Sequence, residues 1–578
     1  MTTMTQTAHP PVTSDRRSIL LVFAGLMLTM LLASLDQTIF STALPTIVGE
    51  LNGVDEMLWV ITIYILASTI MLPIYGKLGD LIGRKGLFIG AISVFIFGSI
   101  VGGFAQDMTW LIIGRGVQGL GGGGLMLLSQ AIIADVVPAR ERGRYMGVMG
   151  GVFALSSVAG PLLGGWFTDG IGWRWGLWMN IPLGILAIIS ALLFLRLPKH
   201  PRNKARIDVA GMALLGITST LLVLVSTWGG TKYDWTSPQI IGMSAGTIAA
   251  AALFVWIEHR ADHPIMSLHL FKDRNFNLTT AAGLITGIAM FGTLAYLPTY
   301  LQMVTGANAT QAGFLMIPMM AGLLVTSIVS GQLVSKTGRY KWLPITGMFI
   351  VAFALVLLSS MTVSMPVWVI CVYLAIMGIG LGTSMQILVL IVQNQFPNSQ
   401  VGMATASNNY FRQIGASLGS AVVGSLFAHR LTQILTERMA GSGGGSGQGA
   451  GSLNSLTPQI VRKLPDQVRS IVIGSYNDAL TPIFVYMVPL LLLAGILLLF
   501  IKEIPLATSI DRETVKMVDA DPAGVAPPLE NAQGAHAGVA AVEGANASVD
   551  AKSVHAQGRH AAARHVASTQ REVGNVSG

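Results

Sequence analysis

Charge is what this chain most lacks. Only 11% of its 578 residues are Asp, Glu, Lys or Arg, 52% are hydrophobic, and the mean hydropathy is +0.64. A soluble domain carries about 25% charge, and a water-facing surface cannot be built from so little. That scarcity excludes a water-soluble globular protein. Cysteine is nearly absent too: Cys371 stands alone in an apolar run, so there is no intrachain disulfide framework. The net charge of +8 does not form a basic patch for nucleic acid. The basic residues fall in short loops between apolar runs, which is a signal of membrane topology.

The chain has long apolar runs instead. Fourteen segments are expected to span, near 19–41, 57–76, 86–105, 109–131, 145–168, 175–196, 208–228, 238–258, 278–302, 309–332, 342–361, 366–390, 403–427 and 482–501. Each is close to the roughly 20 residues that cross a bilayer core of about 30 Å. The first is a span and not a cleaved leader. Arg16, Arg17, Lys77, Arg84, Lys85, Arg140, Arg142, Arg144, Arg196, Lys199, Arg202, Lys204, Arg206, Arg260, Lys272, Arg274, Lys336, Arg339 and Lys341 all fall on one side. The opposite loops at 42–56, 106–108, 303–308 and 362–365 have no Lys or Arg. The positive-inside rule then places both termini (the first at 1–18) in the cytoplasm of a multi-pass protein of the plasma, or inner, membrane.

Two segments are expected outside the bilayer. A glycine- and serine-rich stretch at 440–456 lies in a long external loop at 428–481, whose second half, with Val461, Leu464, Val468 and Ile471, reads as a short amphipathic helix. Residues 505–578 read as a disordered tail. Its His536, His555, His560 and His565 are expected to be solvated and not to hold metal.

Within the fourth run, Gly119, Gly121 and Gly124 match a G-x-G-x-x-G turn. A dinucleotide loop needs a strand before it and an acid about 20 residues beyond. Here a membrane span leads in and Asp135 comes too soon. The glycines read instead as small-residue faces for close helix packing. The same holds for Gly147 and Gly151, Gly160 and Gly164, Gly378 and Gly382, and Gly415 and Gly419. Arg115 is more informative, because a charge in the bilayer core costs roughly 2.5–3.5 kcal/mol and needs a partner or a wet cavity. Counted at about 1.5 Å per residue, Arg115 and Asp36 lie at the same depth, about 8–9 Å inside the outer boundary, and can meet. Arg412 in the thirteenth run is a second intramembrane cation, near the midplane.

In order, these segments resemble the fourteen-helix drug:proton antiporters of the major facilitator superfamily. "LDQTIFSTALP" (35–45) looks like that family's first-helix motif, and "GKLGDLIGRK" (76–85) like its loop between helices two and three. "RGVQGLG" (115–121) looks like the fourth-helix motif, and "GPLLGG" (160–165) like the core of the antiporter motif. "WRWGLWMNIPLG" (173–184) and "NNYFRQIGASLG" (408–419) are similar to the patterns of helices six and thirteen. The resemblance covers about 20–505. Ser156 stands where glycine is usual, and Ser335 replaces the acid in the second copy of the loop motif. No acid occurs in 309–332 or 403–427, which argues against dication export.

The resemblance implies an all-α membrane fold: six-helix bundles at 19–200 and 263–504, with two extra helices at 201–262. It implies alternating access, with proton coupling at Asp36, Arg115 and Arg412. Asp36 and Arg115 also fit a fixed structural pair. Gly76, Asp80, Gly83, Arg84, Lys85 and Asp135 are expected to form a conformational latch, with Asp80 on the amides of a facing helix and Arg84 on Asp135. Gly160, Pro161, Gly164 and Gly165 are expected to let the fifth span bend. Candidates for the substrate pocket are Trp59, Tyr64, Gln118, Met316, Met319, Met320 and Phe411.

The expected function is export of apolar, neutral or monocationic compounds such as drugs, in exchange for protons. A lipid, siderophore or metabolite exporter in the same fold remains open. A membrane enzyme is disfavoured, because the spans hold no nucleophile–base set, metal cluster or nucleotide loop. The expectation is a monomer without cofactor, metal or nucleic acid.

Overall fold

The computed structural model describes residues 16–51, 56–195, 197, 208–230, 232–441, 461 and 464–508. These contain α1 Arg16–Leu51, α2 Met57–Ile82, α3 Arg84–Gly103, α4 Met108–Val136, α5 Ala139–Trp166, α6 Trp175–Trp178, α7 Asn180–Phe194, α8 Val209–Trp228, α9 Pro238–Arg260, α10 Arg274–Leu294, α11 Leu297–Val304, α12 Ala309–Leu315, α13 Ile317–Thr337, α14 Trp342–Ser359, α15 Val367–Gln395, α16 Asn398–Gly441 and α17 Asp466–Leu499. Helices are what an apolar run must form in lipid, where each backbone polar group needs a partner within the segment. Their starts are chemically marked. Asp107, Asp208, Ser237 and Asp273 cap α4, α8, α9 and α10 by accepting backbone N–H groups. Pro138, Pro366 and Pro465 stand just before α5, α15 and α17.

Among the described residues, thirteen helical stretches are long and apolar enough to cross a bilayer. The expected thirteenth span, 403–427, lies within α16, which is long enough but too polar to be among them; adding it to the thirteen gives fourteen. Three expected runs are each two helices: α6 with α7, α10 with α11, and α12 with α13. Pro182, Pro298 and Pro318 lie in the first turns of α7, α11 and α13. Each lacks an N–H and disfavours helix before it, so the run breaks there.

The external loop differs most from expectation. Helix α16 continues to Gly441 and α17 starts at Asp466. Val468 and Ile471 therefore belong to the first turns of α17 and not to a separate amphipathic helix. Residues 442–456 of the glycine stretch lie outside the described residues. So do 509–578 with the four tail histidines, residues 1–15, and Arg196, Lys199, Arg202, Lys204 and Arg206. The chain divides into two units, Met1–Glu513 and Thr514–Gly578, and every described residue belongs to the first. The start of the expected tail is packed, with the Ala507 carbonyl accepting from Arg140 N at 3.0 Å and Leu506 buried.

Helices α1–α7 pack as one bundle and α10–α17 as another, while α8 and α9 pair with each other and α8 touches α2 and α16. The bundles meet where α5 packs on α13 and α15, and where α2 and α4 pack on α16. Glycine makes these seams tight. A Cβ on Gly147 would fall 2.3 Å from the Ser327 carbonyl oxygen. The G-x-G-x-x-G segment lies wholly inside α4. A Cβ on Gly119 or Gly123 would strike the backbone of α2, and one on Gly121 would come 2.5 Å from the Ala91 oxygen of α3. These glycines seat α4 between two neighbours and hold no phosphate turn.

Candidate functional site

The first bundle encloses an acid among apolar helices. Asp36 on α1 is fully buried and paired with Arg115 on α4. Its other carboxylate oxygen accepts from Gln118 Nε2 at 3.0 Å and from Asn180 Nδ2 at 2.8 Å. Ser99 Oγ ties both amides together, at 2.7 Å from Gln118 and 3.2 Å from Asn180. Arg115 also donates to Gln118 Oε1 at 2.9 Å. Its guanidinium lies 4.2 Å from the ring centroid of Phe40 and 4.3 Å from that of Tyr64. Aromatic faces stabilise a desolvated cation by about 2 kcal/mol or more. The acid and base in one low-dielectric shell are thus held by four helices, α1, α3, α4 and α7.

The depth count brings Asp36 and Arg115 together as expected. It does not bring in Arg412, which lies on α16 and touches none of these groups. Gln118 and Tyr64, expected in a substrate pocket, are instead part of the Asp36 shell and are buried. Asn180, Ser99 and Phe40 were not anticipated. A neutral side chain in a span carries no penalty that would force it to declare its partner.

The second cluster joins the bundles at the end that carries the basic loops. Arg84 bridges Asp80, at 2.7 Å, and Asp135, and also donates to the Ala131 and Asn398 carbonyls at 2.8 and 3.2 Å. Asp80 accepts from Met403 N of α16 at 2.8 Å, in the second turn of that helix. Gly76 leaves α16 room: a Cβ there would lie 2.4 Å from the Ala406 Cβ. Gly83 has φ +94°, so the turn from α2 to α3 uses a backbone conformation that other residues resist. Lys85 turns away and donates to the Leu192 and Leu195 carbonyls at 3.0 and 2.7 Å, closing the end of α7. Nearly two turns further along α16, Asn409 Nδ2 donates to Gln130 Oε1 at 2.8 Å, and Gln393 Nε2 donates to the Gln130 carbonyl at 3.2 Å. Those bonds across the seam were not read from the sequence.

The antiporter-like segment packs on α1. A Cβ on Gly160 would lie 1.9 Å from Thr38 Oγ1 and one on Gly164 2.9 Å from the Ile39 oxygen, whereas Gly165 meets nothing. Helix α5 runs through Pro161 and ends in a π turn at Phe167–Ile171. Thr38 Oγ1 donates to the Ser156 carbonyl at 3.0 Å. The remaining pocket candidates are elsewhere. Trp59 stacks edge-on against Trp228 of α8 and Phe411 against Phe271 and Tyr410. Met316, Met319 and Met320 are buried in the core of the second bundle, so they face neither lipid nor an open pocket. Among the described residues no group of three or more His, Cys, Asp and Glu could hold a metal.

At the opposite end, Glu50 accepts from Arg174 at 2.5 Å and from Trp173 Nε1 at 2.8 Å. The Arg174 hydrogen bond holds the Glu50 carboxyl below the ordinary carboxylate range. A depressed acid contributes stability that is present above its unfolded pKa and fades as pH falls through the folded one. Glu50→Gln is therefore expected to lower the melting temperature slightly near neutral pH, with the difference vanishing in acid. An equal gap at both pH values would show that the pair's charge contributes nothing.

Residues 26–420 match the Major Facilitator Superfamily. An uncharacterized MFS-type transporter of Mycobacterium tuberculosis is 39% identical over 86% of this chain and 71% of its own length. The multidrug transporter protein MdtP of Bacillus subtilis is 37% identical over 72% of this chain and 77% of its own. Multidrug resistance protein 3 of the same organism is 32% identical over 86% and 98%. Among solved structures, the human organic anion transporter MFSD10 superposes with a TM-score of 0.54 at 16% identity, over 85% of this chain and 100% of the other. The proton:xylose symporter XylE gives 0.50 at 16%, over 81% and 95%.

Proposed function

The chain belongs to the Major Facilitator Superfamily, a family of transporters and not enzymes, and from that premise we propose that it is a proton-coupled exporter of apolar compounds, drugs among them, working by alternating access. The observation that carries the proposal is Asp36: one acid, fully enclosed and shared by a guanidinium and two amides. A carboxyl that trades its donors as the bundles move can load a proton on one side and release it on the other. The names of the multidrug relatives support efflux as the direction.

In this reading the basic end is cytoplasmic, and the Arg84 cluster locks that end shut while protons reach Asp36 from outside. The substrate is apolar and neutral or monocationic. Asp36 already has three donors around it, which favours the neutral choice, because a cation would have to displace Arg115 to reach the acid. Exchange of a neutral compound for a proton also draws on the voltage, about 2.3 kcal/mol per 100 mV, which exchange of a monocation for one proton does not.

The test is transport in proteoliposomes with an imposed pH gradient and a small panel of apolar compounds. Accumulation should need the gradient and collapse when an ionophore dissipates it. Equal accumulation with and without the gradient would rule out proton coupling.

A further inference from the structure

A row of polar side chains follows the seam between the bundles, all of them buried except Arg412, which is half-buried. On α16, Thr405, Asn409 and Arg412 stand at i, i+4 and i+7, one face of a helix. On α15, Gln386 and Gln393 stand seven apart and share a face in the same way. Gln130 of α4 meets the row through its bonds to Asn409 and Gln393. Gln130, Gln386, Gln393 and Thr405 are at most 1% exposed and Asn409 is 4% exposed. Yet each of the six encloses a polar atom with no hydrogen-bond partner in the protein. These are Gln130 Nε2, Gln393 Oε1, Thr405 Oγ1, Asn409 Oδ1 and one terminal nitrogen of Arg412; in Gln386 it is both ends of the amide. Buried polar groups are almost always paired, so an entirely unpaired buried amide points to a partner that comes and goes. Gly150 makes room beside it, since a Cβ there would lie 3.1 Å from Gln386 Cγ.

The charge along this row has one sign. Between Asp273 and Glu437 the sequence contains no Asp or Glu. Arg412 is therefore offered no carboxylate by its own stretch of helices, and Asp36 is already committed to Arg115. The complement of a half-buried guanidinium, one terminal nitrogen of which is enclosed without a partner, on the helix face that carries these amides is an oxygen acceptor. A cation would meet a like charge, and the acids at the basic end of the seam, Asp80 and Asp135, are already bridged by Arg84.

We propose that this row, presented when the bundles part, binds the polar head of the exported compound, and that the head is a neutral or anionic oxygen acceptor such as a carbonyl, carboxylate or phosphate. The proposal rests on the exporter reading and revises its charge range, keeping the neutral cargo, dropping the monocation and adding the anion. One bundle carries the proton, and the other supplies five of the six side chains that recognise the cargo.

The test is equilibrium binding to the purified full chain in nanodiscs, with no gradient. Three fluorescent dodecyl probes are used, ending in an amide, a carboxylate or a trimethylammonium group. The amide and carboxylate probes should bind on the order of tenfold or more tighter than the ammonium probe. Gln386→Leu should weaken both. Arg412→Gln should weaken the carboxylate probe about tenfold and spare the amide. Gln386→Glu should reverse the order in favour of ammonium, so the result does not hang on one variant's folding. Displacement of the carboxylate probe by added phosphatidylglycerol would identify a lipid headgroup as the natural source, and its persistence would identify a free amphiphile. An ammonium probe bound as tightly as the others, or an order unchanged in all three variants, overturns the proposal and leaves the row to solvent. Because no gradient is involved, failure here is distinct from failure of proton coupling, which the proteoliposome experiment reads alone.

Discussion

Asp36→Asn is expected to abolish gradient-driven export, by about a hundredfold or more, while the protein still reaches the membrane. Asparagine keeps the size of the side chain and cannot cycle a proton. It also leaves Arg115 without its counter-charge, at a cost of roughly 2.5–3.5 kcal/mol in the bilayer core, and a barrier raised by about 2.7 kcal/mol is already a hundredfold in rate. Phe40, Tyr64 and Gln118 still hold the guanidinium, so the fold should survive with a lowered melting temperature. The check is proteoliposome transport normalised to inserted protein. Full-rate coupled transport by the variant would make the Asp36–Arg115 pair a fixed structural ion pair and move the proton elsewhere.

The second large effect is expected at the seam. Arg84→Ala leaves Asp80 and Asp135 facing each other without the cation that bridges them. Removing one partner of a buried ion pair typically costs 3–5 kcal/mol. Here the cost falls on the state in which the basic end is shut. Transport should slow by about ten- to a hundredfold as that state empties. Asp80→Asn, which weakens the bond to Met403 N, should slow it less. Accessibility supplies an independent readout. On a Cys371→Ser background, Thr405→Cys places a near-isosteric thiol in the seam, where Thr405 is fully buried. It should resist a membrane-impermeant reagent in the otherwise native chain and react once Arg84 is removed. Equal protection in both would reduce the cluster to an orientation signal.

Why some of this was legible and some was not follows from what a penalty reveals. Asp36 and Arg115 could be paired from sequence because each is intolerable alone at its depth, and their depths match. Asp80, Arg84 and Asp135 were legible for a similar reason. Asn180, Ser99, Gln130 and Asn409 could not be, since a neutral amide or hydroxyl fits many surroundings and its spacing does not say whom it faces. Gln118 and Tyr64 lie in the Asp36 shell, and the fourth-helix segment marks Gln118 as important without showing that it serves the acid. Trp59 and Phe411 were taken for pocket residues, but an aromatic side chain on a span fits a helix contact equally well, and here both find ring partners. Met316, between α12 and α13, and Met319 and Met320 of α13 pack a core. Prolines split three runs that hydropathy alone leaves whole. In α16 the opposite holds, because hydropathy ends near residue 427 while the helical hydrogen bonding runs on to Gly441.

The length of that helix has a mechanical corollary. At about 1.5 Å per residue its 44 residues make a rod of about 66 Å, roughly twice the bilayer core. Near one end it holds Met403 against Asp80. Near the other, Arg438 pairs with Asp478 of α17 at 2.5 Å. A stiff shaft gripped at both ends acts as a lever, so a small tilt at the inner grip becomes a larger sweep beyond the far face of the membrane. A pair of spin labels flanking the Arg438–Asp478 contact would then work as a pointer on a dial, reporting from the solvent side whether the buried catch at Asp80 is engaged.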